Sequence, residues 1–307
     1  MKILIVCSAN SGKVAPFIQE QVEALTMNFD VECSFFLIKE KGPLGYLKHL
    51  PLLRKTIQEY KPDIIHAHYG YSGLLANLQR KTPVITTYHG SDINVDAAFI
   101  LSKLSIYLSS YNIFVSLKNL TKANKISNSS LIPCAVDTNT FYPSNKDECR
   151  KDLRLDINKK YVLFSNSFDI KVKNAPLAKS AISLMDNVVL LELKGYKRKD
   201  VAKLMNAVDV CLMTSISEGS PQFIKEAMAC NCPIVSVNVG DVKEVIAHTE
   251  GCFVSDTYKK EEIAEKIKMA LQFGKRTTGR ERIFEMGLDT KSVSEKLMQI
   301  YNQAVNR

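Results

Sequence analysis

The 307-residue chain has no uninterrupted apolar run approaching the roughly 18 residues that a membrane-spanning helix needs, which excludes such a helix. Its opening, MKILIVC, is too short an apolar stretch for a secretory signal and is followed by no small-residue cleavage site. Ser8, Ala9 and Asn10 end it at once, so it reads as a first β-strand. Eight cysteines are present, but no CxxC pair occurs and no histidine neighbours them. Without an export signal, reduced structural thiols are expected, with Cys230-Asn231-Cys232 the one close pair. There is no short repeat, no low-complexity stretch and no basic tail.

What is present is a basic but evenly charged chain. Lys and Arg number 41 against 32 Asp and Glu, a net charge of +9. Residues 1–140 hold 14 basic and 10 acidic groups and the remainder 27 and 22, so the excess divides as +4 and +5. Such a charge favours anionic partners, but its even spread speaks against nucleic acid. An anionic membrane surface and phosphorylated small molecules remain. The composition, 46% hydrophobic and 24% charged, is that of a soluble globular protein. At ~150 residues per domain, the length suggests two domains.

Short apolar strands alternate with amphipathic helices throughout. Lys2–Cys7, Val31–Ile38, Asp63–His66, Val84–Tyr88 and Ile113–Ser116 are β-branched or aromatic-rich and bounded by turn residues. A second series follows Tyr142-Pro143-Ser144-Asn145: Tyr161–Ser165, Val188–Leu193, Asp209–Met213, Pro233–Val237 and Cys252–Val254. This alternation predicts parallel sheets wrapped by helices, in two doubly wound halves facing a cleft. Ligands of such sheets bind beyond the carboxyl ends of the strands. The expected domains are 1–140, 141–288 and a closing amphipathic helix over 289–307, with Val293, Leu297, Ile300 and Tyr301 on one face.

The strongest local signal runs from Thr214 to Ala229. A strand ends at Met213 and a helix begins at Ser220, which suits the N-cap, with Pro221 in the first turn. Glu218 then lies on the loop before the helix, and Glu226 about 7.5 Å along its axis from Pro221. Free backbone N–H groups over residues 219–223 beside two carboxylates suit a nucleotide sugar: donors for the diphosphate, acceptors for ribose and sugar hydroxyls. An ordinary capped helix after a surface loop explains the same pattern.

Two glutamates with seven residues between them, then Ala227-Met228-Ala229 and Pro233-Ile234-Val235, resemble the signature of retaining glycosyltransferases of family 4. Other segments resemble that family in the same order: Asp63 to His68, Thr87 to Asp92, Ile132 to Pro143 and Val239 to Glu244. The resemblance implies the GT-B fold, two Rossmann-like domains facing an inter-domain cleft, with the C-terminal helix packing back on the N-terminal domain. It implies transfer of a hexose-type sugar from a nucleotide diphospho-sugar, UDP- or GDP-linked, with retention and without a metal or other cofactor.

Residue roles come with the resemblance. Glu226 matches the glutamate that binds the nucleotide ribose, and Glu218 the one beside the donor sugar. Amides at Gly219, Ser220, Pro221 and Gln222 belong to the segment that meets sugar or phosphate oxygens, and His89 matches the histidine that orients the sugar. Lys173 matches the lysine that holds the diphosphate. Ser167 stands where the family has arginine, which leaves Lys171 as a substitute cation. Gly12 matches one glycine of the loop approaching the β-phosphate, with Lys13 beside it. The acceptor implied is a saccharide or a polyprenyl-linked saccharide, in surface polysaccharide or glycolipid assembly.

Lys39 to Lys61 carries six basic groups among leucines, with Pro51 restarting the helix. That pattern fits a peripheral contact with an anionic membrane on its cytoplasmic face. A packed helix with a solvated basic face fits it too. Two other functions stay open: a nucleotide-sugar epimerase of the same fold, and a non-catalytic sugar-nucleotide-binding protein whose site has lost its arginine.

Overall fold

The computed structural model describes residues 1–10, 12–125 and 127–306; Arg307, the last residue of the expected closing helix, lies outside the described residues. The chain divides into two compact units, Met1–Ala135 with the segment from Thr290 onward, and Val136–Asp289.

The first unit holds six parallel strands in the order β2-β1-β3-β4-β5-β6. These are β1 Lys2–Ser8, β2 Glu32–Ile38, β3 Ile64–His68, β4 Val84–Tyr88, β5 Tyr111–Phe114 and β6 Ser129–Leu131. Between them run α1 Pro16–Asn28, α2 Gly42–Leu47, α3 Leu50–Tyr60, α4 Gly70–Asn77, α5 Ser91–Asn94, α6 Asp96–Leu108 and α7 Leu117–Ala123. Strands β3 and β4 are buried at every residue, as parallel strands covered on both faces must be. Gly70 and Gly73 let α4 lie close to α6, because a Cβ at either would strike Ser102 or Ser105.

Two expectations shift here. The strand expected over 113–116 lies over Tyr111–Phe114, because Ser116 leaves the sheet to cap α7, accepting from Asn119 N at 3.3 Å. The edge strand β6 has no apolar run to announce it, since two of its three residues are serine.

The second unit holds five parallel strands in the order β11-β10-β9-β7-β8. They are β7 Lys160–Phe164, β8 Val188–Glu192, β9 Val210–Met213, β10 Ile234–Val237 and β11 Cys252–Ser255. The helices are α8 Lys146–Asp152, α9 Ala175–Ile182, α10 Arg198–Ala207, α11 Gln222–Ala229, α12 Val242–Ile246, α13 Lys260–Phe273 and α14 Gly279–Glu285. The last helix, α15 Thr290–Val305, returns to the first unit as the amphipathic pattern requires. Its Val293, Leu297, Ile300 and Tyr301 share a core with Ile3, Ile5, Ile18 and Val22. All eight cysteines are free thiols. These two parallel α/β sheets are those of the GT-B fold.

Candidate functional site

In the second unit the loop from β9 to α11 carries Glu218 and α11 itself carries Glu226, at the carboxyl end of the sheet. Helix α11 starts at Gln222, with Pro221 in extended conformation at the cap position and no side-chain cap. The expected capping role of Ser220 is therefore corrected, and its hydroxyl is used elsewhere. Ser220 Oγ donates to Asp241 Oδ2 at 2.5 Å and accepts from the fully buried Lys225 Nζ at 2.9 Å. Burial pushes the Asp241 carboxyl above its usual range, partly offset by the Lys225 charge. This Lys-Ser-Asp chain ties the loop to the segment before α12. The same segment passes so close that a Cβ on Gly240, whose φ is +60°, would sit 2.5 Å from Gly219 O.

Each glutamate meets a cation. Glu218 Oε1 accepts from Lys173 Nζ at 2.5 Å, both side chains being mostly buried. Lys173 reaches it because the turn of 3₁₀ helix over Lys171–Lys173 is sewn to the β9 loop. Ile216 N donates to Val172 O at 2.8 Å, and Thr214 Oγ1 donates to Lys173 O and Asn174 O, each at 3.0 Å. Glu226 Oε1 accepts from Arg198 Nη1 at 2.7 Å, and that guanidinium lies 4.5 Å over the Phe141 ring. Glu226 is buried, so removing Arg198 strands its charge.

Sequence reasoning missed Arg198. It looked for a cation in the loop after β7, whereas Arg198 opens α10 after the loop that follows β8. Ser167, where the resemblance led us to expect an arginine, donates to Glu192 Oε1 at 3.0 Å and Asp169 Oδ2 at 3.2 Å. Lys171 is exposed at the surface of its 3₁₀ turn.

In the first unit the candidates gather at the carboxyl ends of β3 and β4. His66, His68 and His89 form a ladder of rings, with centroids 4.5 Å apart for the first pair and 5.2 Å for the second. His66 Nδ1 lies 2.6 Å from Tyr301 Oη and its Nε2 2.8 Å from Thr87 Oγ1. His68 Nδ1 lies 3.0 Å from His89 Nε2, and His89 Nδ1 3.4 Å from Cys134 Sγ. Burial pushes His66 down to about 3. Burial, then the charges of His66 and His89, hold His68 well below its usual value.

The main chain of His89 is set by a residue that sequence reasoning gave no role. Asp92, buried, accepts from His89 N at 3.0 Å, Gly90 N at 2.9 Å and Gly70 N at 3.1 Å. Desolvation still raises its carboxyl to about 6, against these hydrogen bonds. Asp92 also lines a cavity of 570 Å³ with Ser8, Asn10, Lys13, Tyr46, Tyr69 and Tyr71. Gly12, at φ +84°, is an exposed turn residue whose N–H donates to Ala9 O at 2.8 Å.

The model of Glycosyltransferase Family 4 matches residues 4–140, and that of Glycosyl transferases group 1 matches residues 171–272. The putative teichuronic acid biosynthesis glycosyltransferase TuaC of Bacillus subtilis is 26% identical over 217 residues. That alignment takes in 60% of this chain and 55% of TuaC, so the chain spans about half the length of that relative. Among solved structures, sucrose-phosphate synthase from Thermosynechococcus elongatus superposes with a TM-score of 0.84 at 18% identity, covering 99% of both chains. HepE of Anabaena, solved in complex with UDP-glucose, superposes with a TM-score of 0.75 at 17% identity, covering 99% of this chain and all of that one.

Proposed function

Because the chain belongs to the family 4 glycosyltransferases, we propose that it moves a hexose-type sugar from a UDP-linked donor to a saccharide or lipid-linked saccharide. The observation that carries this reading is the pair of clamped carboxylates, Lys173 on Glu218 and Arg198 on Glu226, beside the start of α11. HepE, which shares the fold, was solved in complex with UDP-glucose, and this supports UDP as the nucleotide of the donor.

In this reading Glu226 accepts from the ribose hydroxyls, and Glu218 accepts from the sugar. Amides of Gly219, Ser220 and Gln222, with Lys173, meet the diphosphate, while Pro221 has no N–H and sets the turn. His89 orients the sugar, and Gly12 lets the backbone approach a phosphate. The bond from the anomeric carbon to the β-phosphate oxygen breaks, and one to the acceptor oxygen forms on the same face. The acceptor's proton passes to the departing phosphate, so configuration is retained and no protein base or metal is needed. Catalysis then rests on positioning and on stabilising the leaving charge.

The cavity lined by Tyr46, Tyr69 and Tyr71 suits the acceptor, because aromatic faces pack on sugar rings. Beside it, Leu44, Leu47 and Leu52 are exposed on α2 and α3, with Lys41, Lys48, Arg54 and Lys55 among them. We assign that surface to an anionic membrane on which surface polysaccharide or glycolipid is built. Among the described residues no helix is long and apolar enough to cross a membrane. The test is thermal stabilisation by a panel of nucleotide diphospho-sugars. UDP-hexoses should raise Tm in the wild type and not in Glu226→Ala, and stabilisation by no member of the panel would refute the donor site.

A further inference from the structure

This inference rests on the proposed role of His89 and concerns what holds its ring. Its two ring nitrogens face His68 Nδ1 at 3.0 Å and Cys134 Sγ at 3.4 Å. His68 Nε2 is buried away from solvent and meets no hydrogen-bond partner among the described residues. A neutral imidazole carries one proton, so His68 has two choices. Accepting at Nδ1 would put its proton on Nε2, a buried N–H without an acceptor. Donating from Nδ1 leaves only an unpaired lone pair, the cheaper defect. A second proton on His68 is disfavoured by full burial between two other imidazoles.

We infer that His68 is a positioning residue: it donates its Nδ1–H to His89 Nε2 and so fixes His89 as the Nδ1–H tautomer, facing Cys134. His66, hydrogen-bonded to Tyr301 of α15 and to Thr87 of β4, supports the stack from below. His89 is then neutral and presents a donor. Sulfur is a weak acceptor, which a sugar hydroxyl oxygen can replace at small cost. The last helix of the chain thus contributes, through two rings, to the orientation of the sugar-facing one.

Histidine tautomers are read directly from two-bond ¹H–¹⁵N correlation spectra of the full chain carrying ¹⁵N-histidine. His68 and His89 should both appear protonated at Nδ1 and bare at Nε2 at pH 7. His68→Asn, whose amide nitrogen stands near the lost Nδ1, should keep His89 in that state. His68→Leu should release it to the other tautomer and lower kcat for UDP-hexose transfer about tenfold, the worth of one hydrogen bond, with KM little changed. A wild-type His89 protonated at Nε2 overturns the inference even in an active transferase, and even if the Leu variant fails to fold. Nδ1 tautomers in a protein that turns over no nucleotide sugar uphold it and refute the transferase reading instead.

Discussion

Two fully buried imidazoles make the stability of the first unit depend on pH, with a sign and size that follow from where each proton goes. In the unfolded chain a histidine titrates near 6.5, whereas burial holds His66 at about 3 and keeps His68 well below 6.5. Below pH 6.5 the unfolded chain therefore takes up protons that the folded unit refuses, and stability falls as pH falls. Between pH 7 and pH 5 this amounts to about 2 kcal/mol for His66, and His68 adds to it in the same direction by no more than about the same amount. Asp92 acts the other way. Its folded carboxyl, raised to about 6, accepts a proton before the unfolded one does, returning about 1 kcal/mol over the same interval.

The three groups together predict a loss of up to about 3 kcal/mol at pH 5, a large part of the 5–15 kcal/mol typical of a domain. Urea titrations followed by circular dichroism at pH 7 and pH 5 measure it, and comparison with His68→Asn isolates one histidine. That variant should lose less than wild type between the two pH values, by up to about 2 kcal/mol. An equal loss in both proteins would refute the claim that the buried ring stays unprotonated.

Three further outcomes are expected. Arg198→Ala should weaken UDP binding about tenfold or more by calorimetry, since it strands the buried Glu226, and Arg198→Lys should recover only part of it. Gly240→Ala adds a Cβ at φ +60° against Gly219 O, and should cost about 1–3 kcal/mol in thermal unfolding while displacing the Glu218 loop. Leu44→Glu with Leu47→Glu should abolish co-flotation with phosphatidylglycerol vesicles while leaving UDP affinity unchanged; persistent flotation would remove the membrane assignment.

What the sequence disclosed and what it hid divide by range of interaction. Strand β1 is apolar without interruption from Ile3 to Cys7 because both its faces are covered, and that needs no partner to be read. Pro51 similarly marks where α3 restarts, at Leu50. The serine-bearing edge strand β6 owes its place to its neighbour β5, a cause absent from its own residues. Ser220 looked like a cap because a cap is local. Its hydroxyl instead goes to Asp241, 21 residues on, and Lys225 supports it from inside the helix. Arg198 and Glu226 are 28 residues apart, and nothing in the spacing brings them together. Parallel register gives the histidine ladder its position: His68 pairs with Thr87, so His89 follows at the end of the adjacent strand.

The clamped carboxylates also bear on how a donor would be received. Glu218, Glu226, Lys173 and Arg198 sum to zero charge, so the loop carries its cations into partial burial without an uncompensated charge. A diphosphate arriving there would draw Lys173 from Glu218, and a ribose on Glu226 would free Arg198 to turn to phosphate. The carboxylates would then pass to sugar and ribose hydroxyls as their cations turn to phosphate, each ionic group exchanging one partner for another. Such an exchange forfeits affinity, because the free state is already satisfied, and gains discrimination. A ligand with phosphate but no ribose, or ribose but no phosphate, would break one ion pair without supplying its full replacement. On this argument UDP should bind far more tightly than uridine and pyrophosphate do separately, and Arg198→Ala should erase much of that difference.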